Sequence, residues 1–168
     1  YLTMTEDFGS YLKSERELRG VPLEEISSVT KIPTRYLQAL ENNQFDDLPG
    51  EVFIKGYIRS YAKSIGTNAD EILETFNKFA NQARDKKKQQ QAVFFSLDNL
   101  SEGEIIRWYN DDSNSWGRIK VVSSYPQGSG YCRVIFSQIS KKGKIRDFKE
   151  TACKDVAYDG WLFIINRS

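Results

Sequence analysis

Histidine is absent from the 168 residues, and with it the commonest general base, the usual partner of a nucleophile and a frequent metal ligand. Cysteine occurs twice, too few without histidine to complete a zinc site. No run approaches the roughly 20 apolar residues that a membrane-spanning helix needs. The N-terminal stretch YLTMTEDFGSYL has no basic segment followed by an apolar one, so it does not read as a signal peptide. Met4 reads as a natural start, with the three residues before it an added remnant. The acidic pairs Asp46/Asp47 and Asp111/Asp112 lie in turn-like stretches, where Asp is common for conformational reasons. No phosphate loop, metal spacing or nucleophile–base pattern appears. The expectation is a protein that is not an enzyme, with no catalytic residue, cofactor, metal or small-molecule substrate.

What is present is an ordinary globular composition, 39% hydrophobic and 28% charged, long enough for one sizeable core or two small ones. The net charge of +1 decides nothing about partners, but its distribution does. Residues 1–80 carry nine basic and thirteen acidic side chains, a net of −4. Residues 81–91 carry a net of +3, and residues 92–168 a net of +2.

The first half is organised around VPLEEISSVTKIPTRYLQALE, residues 21–41. Leu23, Ile26 and Val29 make one apolar stripe at helical spacing, and Tyr36, Leu37 and Leu40 make another. Pro33 biases Ile32 away from the helical region and suits the first turn of the next helix. Two short helices about such a turn are a helix-turn-helix. A helix precedes them, with Phe8, Tyr11, Leu12 and Leu18 near one face and Gly20 at its end. A fourth helix is expected over residues 51–65, and a fifth after the cap Thr67-Asn68, with Ile72, Leu73, Phe76 and Phe79 inward.

The fourth helix has more apolar residues than one face needs. Ile54, Ile58, Ala62 and Ile65 supply an inward stripe, while Phe53, Tyr57 and Tyr61 form a second ridge beside Lys55, Arg59 and Lys63. Aromatic side chains flanked by arginine suit a protein interface. The plainer alternative is that all three aromatics join the core. A DNA-reading alternative would send the third helix into the major groove, with Thr34, Arg35 and Gln38 reaching bases and Lys31 a phosphate. The net of −4 over residues 1–80 has the wrong sign for neutralising phosphates.

Arg84 to Gln91 contains no apolar residue and is expected to stay out of any core, as a solvated linker or an extension of the fifth helix. A basic patch for anionic lipid or nucleic acid is the less favoured reading. The expected organisation is a helical domain over residues 5–82, this segment over 83–92, and an all-β domain over 93–168. In the last, five β-prone runs at 105–109, 117–125, 131–139, 145–154 and 161–166 are separated by turn-rich stretches, which makes a small antiparallel sheet or barrel.

If Lys142-Gly143 forms a two-residue hairpin loop, Lys141 faces Lys144 and every cross-strand pair sums to 285. Cys132 and Cys153 then sit opposite each other, within reach of a disulfide. A pair of reduced core thiols is the alternative.

Two resemblances attach to these residues. LKSERELRGVPLEEISSVTKIPTRYLQALENNQFDDLP followed by VFIKGYIRSYAKSIG resembles the bacterial RodZ-type helix-turn-helix over about 75 residues, most specifically at Phe53 to Ala62. The resemblance implies a cytoplasmic, repressor-like fold that binds the actin-like protein MreB and serves cell shape. The family's aromatic contacts map onto Phe53 and Tyr57. Such proteins carry a membrane helix after this domain, attaching it to the inner membrane, and none follows here. The second half resembles the C-terminal β domain of the rickettsial 17-kDa surface-antigen family, through Tyr131-Cys132-Arg133, Thr151-Ala152-Cys153-Lys154 and Asp159-Gly160-Trp161. That implies an envelope-type module, where disulfides persist, while an MreB partner implies a reducing cytosol.

Overall fold

The computed structural model describes residues 7–165; the reading of Met4 as a start, the first residues of the helical domain and Asn166 at the end of the last expected strand lie outside them. Two compact units divide the chain, Tyr1–Ala80 and Asn81–Ser168. No helix among the described residues is long and apolar enough to cross a membrane.

In the first unit, α1 (Phe8–Leu18) starts where Asp7 Oδ1 accepts the Ser10 N–H at 2.7 Å. α2 (Leu23–Thr30) and α3 (Thr34–Glu41) flank the turn, in which Lys31 takes the left-handed conformation at φ 65°. Ser27 Oγ donates to the Ile32 carbonyl and Thr30 Oγ1 to that of Ile26, each at 2.6 Å, so hydroxyls satisfy backbone acceptors where the chain turns. A short 3-10 turn at Phe45–Asp47 leads to α4 (Glu51–Ser64). α5 (Ala69–Asn99) begins beyond Asn68, whose Oδ1 accepts the Asp70 N–H at 2.9 Å.

The core collects Phe8, Leu12, Ile26, Leu37, Leu40, Ile58 and Ile72. Leu18 and Val29, expected inward, are exposed. A step of three residues turns about 60° short of a full circle, so repeated i, i+3 spacing drifts off the buried face. Gly9 is required by contact rather than by conformation. A Cβ there would lie 2.3 Å from the Glu41 carbonyl oxygen, so α1 and α3 touch backbone to backbone.

One polar cluster is built into this core. Arg16 holds the Glu41 carboxylate in a two-pronged pair at 2.8 and 3.0 Å, and its third nitrogen donates to the Val21 carbonyl at 3.1 Å. The fully buried Tyr61 hydroxyl donates to the same carboxylate at 2.5 Å. α1, α3 and α4 therefore meet on one carboxylate. Burial, and then the neighbouring Glu41 carboxylate, push the Tyr61 phenol well above its ordinary range.

In the second unit, α5 continues unbroken from Asn81 through the polar run 84–91. The expectation that this run stays out of any core is corrected at one position and qualified at a second. Asp85 is buried, and its Oδ1 accepts from Asn110 Nδ2 at 2.7 Å and Ser113 Oγ at 3.1 Å. Gln89 Oε1, half-buried, accepts the Trp108 indole N–H at 2.7 Å. Polar side chains can face a sheet when the sheet supplies partners for them.

The sheet is a simple antiparallel meander of β1 (Ile105–Asn110), β2 (Ser115–Gln127), β3 (Gly130–Lys141), β4 (Lys144–Lys154) and β5 (Leu162–Ile164), in that spatial order. Of the two forms expected, it is the open sheet: among the described residues β1 pairs only with β2, and β5 only with β4. Its inner face buries Trp108, Ile119, Val121, Ile135 and Ala152 with Ala92, Val93 and Leu97 of α5. Gly117 leaves room for the Trp108 ring, which a Cβ would approach to 2.2 Å.

Arg133 is buried without a carboxylate. It donates to the carbonyls of Ser96 at 3.2 Å, Leu97 at 2.8 Å and Leu100, all at the C-terminal end of α5. A guanidinium there satisfies acceptors that the helix leaves open and meets the negative end of its dipole.

Lys141 faces Lys144, and Cys132 faces Cys153. The two cysteines are bonded, with Cα atoms 4.0 Å apart.

Two outcomes follow from these contacts. The raised Tyr61 proton affinity favours folding below about pH 10; above that the unfolded chain releases the proton while the folded unit keeps it, so stability falls as pH rises. Tyr61→Phe should flatten that loss, and should lower stability at neutral pH by about 1–3 kcal/mol because Glu41 loses a donor. Urea unfolding at pH 7 and in the alkaline range checks both. For the second unit, the bond spans 21 residues, and its reduction should cost about 3 kcal/mol of stability. The non-reduced protein should be lighter than the reduced one by about two protons.

Candidate functional site

The site is built on α3 and α4, whose inward residues fix what remains outside. Ile54, Ile58, Ala62 and Ile65 are all buried, as one stripe. Phe53 lies on another side of α4 and is 49% exposed. Its ring stacks on Tyr57 at 6.0 Å between centroids, and Tyr57 stacks in turn on Tyr36 of α3 at 6.0 Å. The Arg35 guanidinium lies 4.7 Å from the centre of the Tyr36 ring. Phe53, Tyr57, Tyr36 and Arg35 thus form one continuous stack that crosses from α4 to α3. Offset aromatic pairs and a guanidinium over a ring are each favourable, and together they fix the rings in place.

Tyr61 does not belong to this surface. Each i, i+4 step advances about 40° around a helix, so the ridge from Phe53 winds toward the core. Phe53 is exposed, Tyr57 half-buried and Tyr61 fully buried. The role expected for Tyr61 in partner contact is therefore corrected: it is the donor to Glu41. Tyr36, read from the sequence as part of an inward stripe, is half-buried and bridges the two helices. Its place three residues after Pro33, beside the exposed Arg35, held no signal that its ring would meet α4.

Lys55 and Arg59 are exposed on α4. Arg59 makes a loose pair with Asp70 at 3.7 Å, both well exposed, which fixes little. Of the groups considered for DNA, Lys31 caps α2, Thr34 opens α3 half-buried, and Arg35 and Gln38 are exposed. Arg35 thus belongs to both sets of expected site residues.

The charge around the stack differs from the unit's total. Residues 31–40 contain Lys31 and Arg35 and no acid; residues 52–66 contain Lys55, Arg59 and Lys63 and no acid. Five of the nine basic residues in 1–80 are concentrated there, and Glu41, the nearest buried acid in sequence, is spent on Arg16. A net of −4 over the whole segment therefore coexists with positive charge along these two stretches. An anionic or acidic partner matches it.

Comparison with known proteins bears on this unit. A helix-turn-helix domain family model matches residues 11–72. An uncharacterised membrane protein of Bacillus subtilis (strain 168), YmfM, is 38% identical over 56 residues, covering 33% of this chain. The chain spans only 19% of that relative's length. A solved structure of YmfM from Staphylococcus aureus, described as a candidate DNA-binding membrane protein, is 33% identical. It covers 41% of this chain and 84% of its own, with a TM-score of 0.39. The matched residues run from within α1 to the first residues of α5, and the first unit contains a helix-turn-helix domain.

Proposed function

We propose that the helix-turn-helix domain is a protein-binding module that docks through α4 and the adjoining end of α3, on a cytoskeletal filament of the MreB type. The observation that carries this reading is the half-exposed Phe53 ring at the end of a fixed aromatic stack, next to the fully outward Val52. An apolar ring held rigidly in water is costly for a monomer and suits a partner's pocket, since little ordering remains to be done on binding. Lys55, Arg59 and Lys63 add positive charge along the same helix. The resemblance to the RodZ-type domain supplies the candidate partner, and in this reading the domain faces the cytoplasm.

Duplex DNA is the second reading, and the acid-free charge of residues 31–40 and 52–66 favours it. Arg35 and Gln38 would approach bases, with Lys31 on a phosphate. The stacking of Arg35 on Tyr36 counts against that use, because it turns the guanidinium along the protein surface.

The two readings part under substitution. Phe53→Ala should lower stability by only about 1 kcal/mol, from the lost stack on Tyr57 and the buried half of the ring, and leave the unit folded. It should weaken sedimentation with polymerised MreB at least tenfold, as loss of an interface anchor does. Gln38→Ala should leave that interaction unchanged. Filament binding that ignores Phe53→Ala, or sequence-specific duplex binding that is steeply salt-dependent and lost in Gln38→Ala, would replace this reading with the other.

A further inference from the structure

The sheet of the second unit has one face packed on α5 and one that is uncovered among the described residues. Register fixes the uncovered face as successive cross-strand rows. Tyr109 lies opposite Trp116 in one row, Arg107 opposite Arg118 in the next, and Ile105 opposite Lys120 in the third. The last two rows continue across β3 and β4 as Gln138 and Asp147, and as Phe136 and Lys149.

Two features of this face stand out, although Arg118 is partly engaged within the sheet, its Nε donating to Gln138 Oε1 at 2.5 Å and its guanidinium lying 5.8 Å from the centre of the Trp116 ring. Arg107 and Arg118 are directly opposed like charges, a pairing that weakens a sheet. Neither takes part in an ion pair among the described residues, and the only acid in the three rows is Asp147, two strands from Arg118. Apolar side chains are also left in water, with Tyr109 60% and Ile145 57% exposed. The other two rows hold a shallow concavity of about 240 Å³, lined by Ile105, Arg118, Lys120, Phe136 and Gln138.

We infer that this face docks on an anionic lipid surface. Four cations, Arg107, Arg118, Lys120 and Lys149, would meet negatively charged headgroups, and each adds to attraction for such a surface. Tyr109 and Trp116 have the apolar body and polar tip that favour the membrane interface. Ile105 and Ile145 select lipid over single-stranded nucleic acid. A base stacks on an aromatic ring but gains little from an isolated aliphatic chain, whereas the acyl boundary accepts one. The inference does not depend on the partner of the helix-turn-helix domain.

Sedimentation of the full chain with vesicles tests it. Binding is expected to phosphatidylcholine vesicles that contain phosphatidylserine, not to phosphatidylcholine alone, and should fade at high salt. Arg107→Gln/Lys120→Gln should weaken it on the order of twentyfold, at about fivefold for each cation removed. Both positions are exposed, so the far-UV spectrum should be unchanged. Lys86→Gln/Lys87→Gln/Lys88→Gln, on α5, should leave binding as it was. Equal binding to neutral vesicles, full binding by the double variant, or a single-stranded oligonucleotide held in preference to anionic vesicles would each overturn the inference.

Discussion

The buried carboxylate of Glu41 is the constraint on which the helix-turn-helix domain depends. Arg16 comes to it from α1 and Tyr61 from α4, while Glu41 itself is the last residue of α3. An unpaired charge in that place would be expensive, so the three helices are bound to one relative arrangement by the need to satisfy it. Dispersion and burial among Leu12, Leu37, Leu40 and Ile58 supply most of the stability, but apolar contacts tolerate sliding and rotation more readily than a two-pronged pair does. The carboxylate sets the rotation of α4 about its own axis. With Tyr61 turned inward, Tyr57 falls at the margin of the core and Phe53 outside it. The exposed end of the stack follows from a contact made two turns away.

Arg133 has a comparable place in the second unit, with a different chemistry. It has no acidic partner, and its charge is met by the carbonyl ends of α5. That contact binds β3 to the helix and gives a structural meaning to motifs otherwise known only as a resemblance. Cys132 and Cys153 bridge β3 and β4. Trp161 packs edge-on against Tyr131 at 5.4 Å, and its indole N–H donates to Asp98 of α5 at 2.8 Å. Ala152 is fully buried in the core that the sheet shares with α5. Tyr131-Cys132-Arg133, Ala152-Cys153 and Trp161 are therefore parts of the frame, and the uncovered sheet face draws on other residues.

Much of the fold was legible because it rests on local rules. The cap at Asn68, the break before Pro33 and the inward stripe of α4 come from residues close in sequence. The cysteine pairing was legible for a related reason: a two-residue loop at Lys142-Gly143 fixes every partner in a hairpin. Contacts between distant residues were not legible. The pair of Arg16 with Glu41, the cap that Arg133 places on α5, and the burial of Asp85 each join polar groups that look like surface residues in sequence. Helical drift accounts for the misplaced apolar residues. Val29 and Tyr61 were assigned by spacings that are nearly, but not quite, one turn, and the error grows with each step.

The same distinction governs charge. A segment total treats every ionised group as equally available, yet buried pairs remove charge from the surface, and sequence distance says little about which groups share a face. In the helix-turn-helix domain the acids lie outside residues 31–40 and 52–66, and Glu41 is neutralised internally, so an acidic segment contains two stretches of purely positive charge. In the second unit strand register gathers Arg107, Arg118, Lys120 and Lys149 on one face from three strands. In both places aromatic rings stand among the cations, but the rings are held differently. Those of the first unit stack on one another and are fixed before any partner arrives, which favours a shaped protein pocket. On the sheet, Tyr109 and Trp116 stand as a cross-strand pair beside aliphatic neighbours, which favours a partner without fixed shape. Position, and not composition, separates the two surfaces.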